Sequence, residues 1–235
     1  MTATTRRRFL SGALGSAGAL AAGGLACDSN RPRTGFLGTM ERVNERFQRA
    51  LFDPHRLAPE LRPEDETPID DFPQYKIGED FPIAPPGWRL AVGGMVARPL
   101  TLALDDLRRL PRTRVRVRHH CVEGWSAVAA WDGVRLSEIA RAAGADARAR
   151  YVEFRSFEPR YFSSWDVEST LHPQTILAYA MDGQPLATEY GAPLRLYSAV
   201  KLGYKMVKYL LQVSFLPGRT GGYWEDQGYE WFAGV

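Results

Sequence analysis

Alternation and helical spacing divide the chain into a polar, Pro-rich front part and a strand-rich remainder. From Thr113 to Arg118, Val115 and Val117 fall on one face and Arg114, Arg116 and Arg118 on the other, which predicts a strand running into His119-His120-Cys121. Trp88–Val92, Tyr151–Phe157, Thr175–Met181, Leu194–Ser198 and Met206–Leu216 complete the predicted strand set. Leu104–Leu110, stopped at Pro111, and Leu136–Ala143, ended by Gly144, read as short helices. Glu41–Phe52 carries Val43, Phe47, Ala50 and Leu51 at helical spacing. A Gly-containing turn follows Cys121, and Asp182-Gly183 marks another. Many strands with a few short helices predict an α+β fold with mixed and antiparallel sheets.

Between the first helix and the first strand lie Pro54, Pro59, Pro63, Pro68, Pro73, Pro82, Pro85 and Pro86, a density that predicts an extended segment wrapping the domain surface. The organisation expected is therefore a signal segment over 1–26, a linker and Pro-rich wrapping segment over 27–87, and one large domain over 88–235. The signal reading rests on order: Thr5-Arg6-Arg7-Arg8-Phe9-Leu10 resembles a twin-arginine export motif, and an apolar, small-residue stretch from Gly12 to Ala26 follows it. That stretch is too short and too rich in Gly and Ala for a stable membrane span. Gly24-Leu25-Ala26-Cys27 resembles an imperfect lipobox, so cleavage after Ala26 competes with lipid anchoring at Cys27. The expected location is periplasmic or otherwise exported, and because the twin-arginine route carries folded proteins, it raises the expectation of a complex cofactor.

Composition narrows the classes. A hydrophobic fraction of 45% and an aromatic fraction of 11% allow a sizeable core. The net charge of +3 owes much to Arg6, Arg7, Arg8, Arg31 and Arg33, which face only Asp28 at the front of the chain. The remainder is close to neutral, and no basic stripe calls for nucleic acid. Two cysteines, Cys27 and Cys121, exclude a disulfide framework. If Cys27 is processed, Cys121 is left as a lone thiol, which an exported protein normally avoids.

Cys121 thus asks for a role. Arg118, His119 and His120 precede it, and nearby cations lower a thiol's pKa toward the thiolate that binds metal. An inert buried thiol and a Cys–His nucleophile are the alternatives. Adjacent residues of an extended chain point to opposite faces, which places His120 poorly for activating Cys121. His55 and His172 are scattered, so no zinc spacing is present. A second constellation, Tyr190-Gly191-Ala192-Pro193-Leu194-Arg195 with Lys201, Lys205 and Lys208, combines a turn with a guanidinium and ammonium groups suited to phosphate. Interleaved Tyr197, Gly203, Tyr204 and Tyr209 favour a packed pocket over the alternative, a solvated basic face.

The runs Arg118-His119-His120-Cys121-Val122-Glu123-Gly124-Trp125-Ser126, Gly191-Ala192-Pro193-Leu194-Arg195 and Lys201-Leu202-Gly203-Tyr204-Lys205-Met206-Val207-Lys208 recur in order in the molybdopterin domain of the sulfite-oxidase family, which residues 88–235 resemble. They are most similar to the bacterial exported members, which include a periplasmic methionine-sulfoxide reductase catalytic subunit. The resemblance implies the family's molybdopterin-domain fold and one Mo-molybdopterin per chain. It implies two-electron oxo transfer with Cys121 as the protein's metal ligand. Arg195 and Lys208 match contacts to the pterin phosphate and ring system, and Met206 and Val207 offer backbone groups there. Ser156 matches a Thr that touches the cofactor, and Asn44, with Phe47-Gln48, matches an Asn-x-x-Tyr-Glu contact. Tyr190 stands where relatives carry His or Asn. Arg118 and Lys205 complete the expected cofactor-binding set, while His120 and Trp125 join Cys121 as expected catalytic residues at the substrate opening.

Two departures shape the expected chemistry. Sulfite oxidases place Asn-Arg-Arg shortly after the Cys, whereas this chain has Gly124-Trp125-Ser126. The loss of positive charge argues against sulfite; the expected substrate is small or protein-bound, a small molecule or a sulfoxide-type group. The ending at Val235, without the domain that makes sulfite oxidases dimeric, leads to the expectation of a monomer. The sequence has no Cys-x-x-Cys-His haem attachment and no iron–sulfur cysteine set, so electron transfer requires a redox partner, a membrane haem protein or a cytochrome. The competing class is a module of the same fold that binds the cofactor or a peptide without catalysis.

Overall fold

The computed structural model describes residues 35–235; the expected signal segment, Cys27 and most of the 28–35 linker lie outside them. The chain forms two units, one reaching to Asn44 and one running from Glu45 to Val235. Helix α1 (Gly35–Leu51) crosses that boundary. Its apolar Val43, Phe47 and Leu51 are exposed. Its polar side does the packing instead: Gly234 N donates to Gln48 Oε1 at 3.1 Å, and the Arg49 guanidinium lies 5.2 Å from the Trp231 ring centre. No helix among the described residues is long and apolar enough to cross a membrane.

The second unit holds all the strands. After the Pro-rich segment come β1 (Leu90–Gly94), β2 (Leu100–Leu102), α2 (Leu104–Arg108), β3 (Arg112–His120), β4 (Ser126–Arg135), α3 (Leu136–Ala143), β5 (Tyr151–Ser156) and β6 (Phe162–Asp166). Then follow α4 (Val167–Thr170), β7 (Thr175–Met181), β8 (Gln184–Pro185), β9 (Arg195–Ser198) and β10 (Leu210–Leu216). One sheet has the order β2-β1-β10-β5-β6; it is mixed, because β1 and β10 run parallel while its other pairs are antiparallel. The other has the order β3-β4-β7-β8 with β9 also on β7, antiparallel throughout. The α+β expectation with mixed and antiparallel sheets therefore holds. One apolar cluster draws on both sheets, among others Leu90, Val152 and Val213 from the first and Val117, Trp131 and Ile176 from the second.

Local patterning explains most elements. β3 alternates as expected, with Val115, Val117 and His119 buried and Arg114 and Arg118 outside. Helix α3 ends at Gly144, whose φ of 63° is the left-handed conformation that glycine adopts at low cost. Four strands escape the pattern reading, among them the two-residue β8. β4 is buried on both faces along its interior, so it shows no alternation, and its Ala127, Ala129 and Ala130 have low strand propensity. β6 reads as polar because it carries Ser163 and Ser164. β2 has three residues. Conversely, Met206–Tyr209 is not strand: a 3-10 turn at Gly203–Lys205 precedes it, and Tyr209 takes a φ of 57°.

The Pro-rich segment has no sheet partners of its own and lies along the second sheet. Leu61 N donates to Arg116 O and Thr67 N to Val128 O, both at 2.9 Å, and Val128 N donates to Thr67 Oγ1 at 3.0 Å. Phe72 is buried edge-on against Trp131 and Tyr190.

β7 lies tight against Gly133 of β4, where a Cβ would come within 2.1 Å of the Leu177 carbonyl oxygen. Backbone cannot yield there as a flexible side chain would. Gly133→Ala is expected to destabilise the fold by about 3 kcal/mol in urea or thermal unfolding, at the upper end of overpacking costs.

Candidate functional site

A cleft opens where the β3–β4 hairpin, the turn before β9 and the turn before β10 meet, walled by Phe72–Tyr75 of the Pro-rich segment and by Trp224 and Tyr229 near the C-terminus. The hairpin supplies Cys121. Cys121 N donates to Trp125 O at 3.0 Å and Gly124 N to Cys121 O at 3.2 Å, a tight turn made possible by Gly124 at φ 91°. The half-buried thiol lies 3.7 Å from Glu123 Oε2, which also accepts from Trp125 Nε1 at 2.9 Å. Burial pushes the Cys121 thiol up, and the Glu123 carboxylate adds to the shift. The cationic activation expected from Arg118 and His120 is therefore absent. Arg118 is exposed and reaches Ser126 Oγ at 3.5 Å, and His120 shares its outer face, away from the cleft lining.

The other part of the cleft is cationic. Arg195, 6% exposed, opens β9. Its guanidinium donates to Tyr190 O at 3.0 Å and lies 4.6 Å from the Trp131 ring centre. Lys208 Nζ donates to Glu189 O at 3.0 Å and to Tyr75 O. Among the described residues neither cation has a carboxylate within ion-pair distance. Burial lowers Arg195 to about 10; burial and then the neighbouring Arg195 charge lower Lys208 to about 8. Gly191, at φ 106°, allows this crowding: a Cβ there would meet Lys208 Cβ at 2.9 Å and Arg195 Cβ at 3.2 Å.

The remaining expected residues divide sharply. Trp125, Tyr190, Met206 and Lys208 line the cleft with Cys121 and Arg195; Asn44, Arg118, His120, Ser156, Lys205 and Val207 do not. The Lys205 ammonium turns inward, donating to Ser164 O at 2.9 Å and pairing with buried Glu225. Lys201 does likewise with Asp166 at 3.2 Å and Phe232 O at 2.7 Å. Only Lys208 of the three expected phosphate-pocket lysines reaches the cleft, the other two being turned inward onto Asp166 and Glu225. The Tyr190 hydroxyl faces the Pro-rich segment, within 3.1 Å of Ile69 O and 3.3 Å of Phe72 O, and accepts from Gln74 Nε2. Ser156 Oγ donates to Tyr209 O at 3.3 Å and accepts from Glu158 N. Met206 N is used by Gly203 O and Val207 O by Leu196 N. Asn44 is exposed on α1.

Among the lining residues outside the expected set are His119, Glu123, Trp224 and Tyr229. His119 is buried on the Val115–Val117 face of β3, where alternation places it; burial, then Arg195 and His120, depress it to about 3, so it is neutral. Glu123 lies within the hairpin motif itself. Trp224 and Tyr229 belong to an aromatic stretch whose one sequence signal is its density of rings.

Fold and cleft together define a domain in which one cleft is lined by a thiol and by a guanidinium and an ammonium suited to an anionic group. The model of the oxidoreductase molybdopterin-binding domain matches residues 78–224, and the chain belongs to that family, the sulfite-oxidase-type oxidoreductases that use Mo-molybdopterin. It is 39% identical over 231 residues to a putative protein-methionine-sulfoxide reductase subunit, YedZ1, of Azospira oryzae, covering 97% of this chain and 87% of the relative. It is 32% identical over 195 residues to the protein-methionine-sulfoxide reductase catalytic subunit MsrP of Xanthomonas axonopodis, covering 73% of this chain but 60% of that one. The sulfane dehydrogenase SoxCD of Paracoccus pantotrophus shares the fold at a TM-score of 0.53 and 23% identity, over 56% of this chain and 38% of that chain.

The cleft fits such a cofactor by its donors. Among the described residues, buried Arg195 and half-buried Lys208 lack a carboxylate at ion-pair distance, and a terminal phosphate would supply the missing charge. Lys208 loses its charge as pH rises through about 8, so the affinity of cofactor-free protein for inorganic phosphate is expected to fall above that pH, read by calorimetry across pH 6.5 to about 10.

Proposed function

We propose that this protein is an exported oxidoreductase that reduces sulfoxide-type substrates, with Cys121 as its ligand to molybdenum and an external electron donor. One observation carries the reading: Cys121 and the carboxylate-free pair Arg195–Lys208 share one cleft. When bound, the cofactor supplies two-electron oxo transfer. The chain's residues bind and orient it: Arg195 and Lys208 take the phosphate, and the tight hairpin turn holds the Cys121 sulfur at the other part of the cleft. Coordination deprotonates a thiol outright, which offsets the upward push of burial on Cys121.

Charge favours a neutral substrate over sulfite. Glu123 Oε2 lies 3.7 Å from the Cys121 sulfur, and Trp125 and Ser126 stand where the sulfite-oxidase motif has its arginines. At about 4 Å an exposed carboxylate repels an anion by roughly 1 kcal/mol in water-like surroundings. The names of the relatives, as methionine-sulfoxide reductase subunits, support a thioether sulfoxide, and aromatic walls suit a methyl thioether by sulfur–ring contact. Export through the twin-arginine route, with Cys27 as a lipid anchor or lost with the leader, rests on residues 5–27. A membrane haem protein or cytochrome is the proposed electron source, since two cysteines cannot hold an iron–sulfur cluster in this chain.

Protein produced with cofactor supply is expected to carry about one molybdenum per chain and to reduce methionine sulfoxide with a chemical electron donor. Cys121→Ser is expected to lower turnover by more than about 100-fold while its pterin content stays measurable. Full turnover in that variant overturns the metal assignment; protein that binds pterin and turns over no sulfoxide is a binding module instead. Glu123→Gln is expected to raise kcat/KM for sulfite relative to a neutral sulfoxide by about fivefold, compared at one ionic strength.

A further inference from the structure

We infer that His119, which the family resemblance does not single out, is a cofactor-binding residue that donates a hydrogen bond from Nε2 into the cleft. The inference rests on the reading that the cofactor occupies this cleft.

The imidazole is held in an aromatic slot. Its centroid lies 5.6 Å from Trp125, 6.0 Å from Tyr197 and 6.1 Å from Phe72, and the ring is nearly parallel to Tyr197. Nδ1 is sealed inside the protein with no hydrogen-bond partner. The opposite edge faces Gly203, where a Cβ would come within 2.7 Å of Nε2 and 3.0 Å of Cε1. His119 and Gly203 both line the cleft. Gly203 is thus the residue that leaves this ring edge uncovered.

A hydrogen on Nδ1 would be a buried donor without an acceptor, the rarer kind of orphan in folded proteins. The ring's hydrogen therefore belongs on Nε2, at the cleft wall. Three aromatic neighbours do not need a histidine; a Phe would fill the slot equally well and leave no orphaned nitrogen. The polar ring is accounted for by something that enters the cleft and accepts its hydrogen, and a pterin ring system presents such acceptors. Tyr190, the other residue expected to make a ring contact, has its hydroxyl committed to Ile69 and Phe72.

The test compares wild type, His119→Phe, His119→Gln and Lys208→Met, each produced with cofactor, by the rate of pterin loss during dialysis and by the melting temperature of the cofactor-free forms. Phe keeps the slot filled without a donor, and Gln places an amide where Nε2 stood. His119→Phe is expected to lose pterin about tenfold faster, in keeping with one deleted hydrogen bond. His119→Gln is expected to stay close to wild type, and the cofactor-free His119→Phe to melt no lower than wild type. Wild-type retention in His119→Phe, or a loss in His119→Gln as large as in His119→Phe, overturns the inference. A melting temperature lowered alike in both marks a packing role and also overturns it. If Lys208→Met retains pterin as wild type does, the cofactor is not in this cleft and the underlying reading falls as well; if Lys208→Met loses it while His119→Phe does not, only the role of His119 falls.

Discussion

A guanidinium held in the interior with no carboxylate to answer it is the constraint around which this domain is arranged. Removing an ion from water costs several kcal/mol even after relaxation. Arg195 recovers part of that through the Tyr190 carbonyl and the Trp131 face. Lys208 stands beside it, across the space that Gly191 leaves open. The same stretch of chain shows what the alternative would be. Lys201 and Lys205 are as deeply buried, yet each has its carboxylate, Asp166 and Glu225. Paired cations stiffen the back of the domain, and unpaired ones await an anion at its front.

The cleft joins two electrostatic regimes. At Arg195 and Lys208 positive charge is concentrated; at Cys121 the nearest ionisable neighbour is the acidic Glu123. The two ends are built by different sheet connections, the β3–β4 hairpin and the turns leading into β9 and β10. A phosphate-bearing cofactor is thereby drawn to one end, while anions are discouraged at the other. His119 lies on the β3 face that bridges these regions, neutral because burial and Arg195 both oppose its charge.

Much of this was legible before the structure, and for stateable reasons. Period-2 alternation located β3, and β7 and α3 were bounded as they fold. The motif runs around Cys121 and Arg195 marked two sides of one cleft. What failed to show were elements whose pattern carries no contrast: β4, apolar on both faces, and β6, masked by its serines. Lysine roles were lost for a related reason. Lys201, Lys205 and Lys208 look alike in sequence, and the first two are held inward by Asp166 and Glu225, carboxylates from distant parts of the chain. The alternation that hid His120 from Cys121 also turned His119 inward, so its burial could have been read from Val115 and Val117. The aromatic wall from Trp224 to Tyr229 depends on long-range docking, and no local period encodes that.

The Tyr190 hydroxyl also bears on how the domain opens. It sits among Ile69, Phe72 and Gln74 of a segment that has no sheet partner of its own, and that segment forms one wall of the cleft. Loss of the segment would open that side of the cleft and would also strip Phe72 from the core. The Tyr190 hydroxyl is one of several ties on this wall, with Phe72 seated in the core and Lys208 on the Tyr75 carbonyl, so the cleft's side and the domain's interior are secured together.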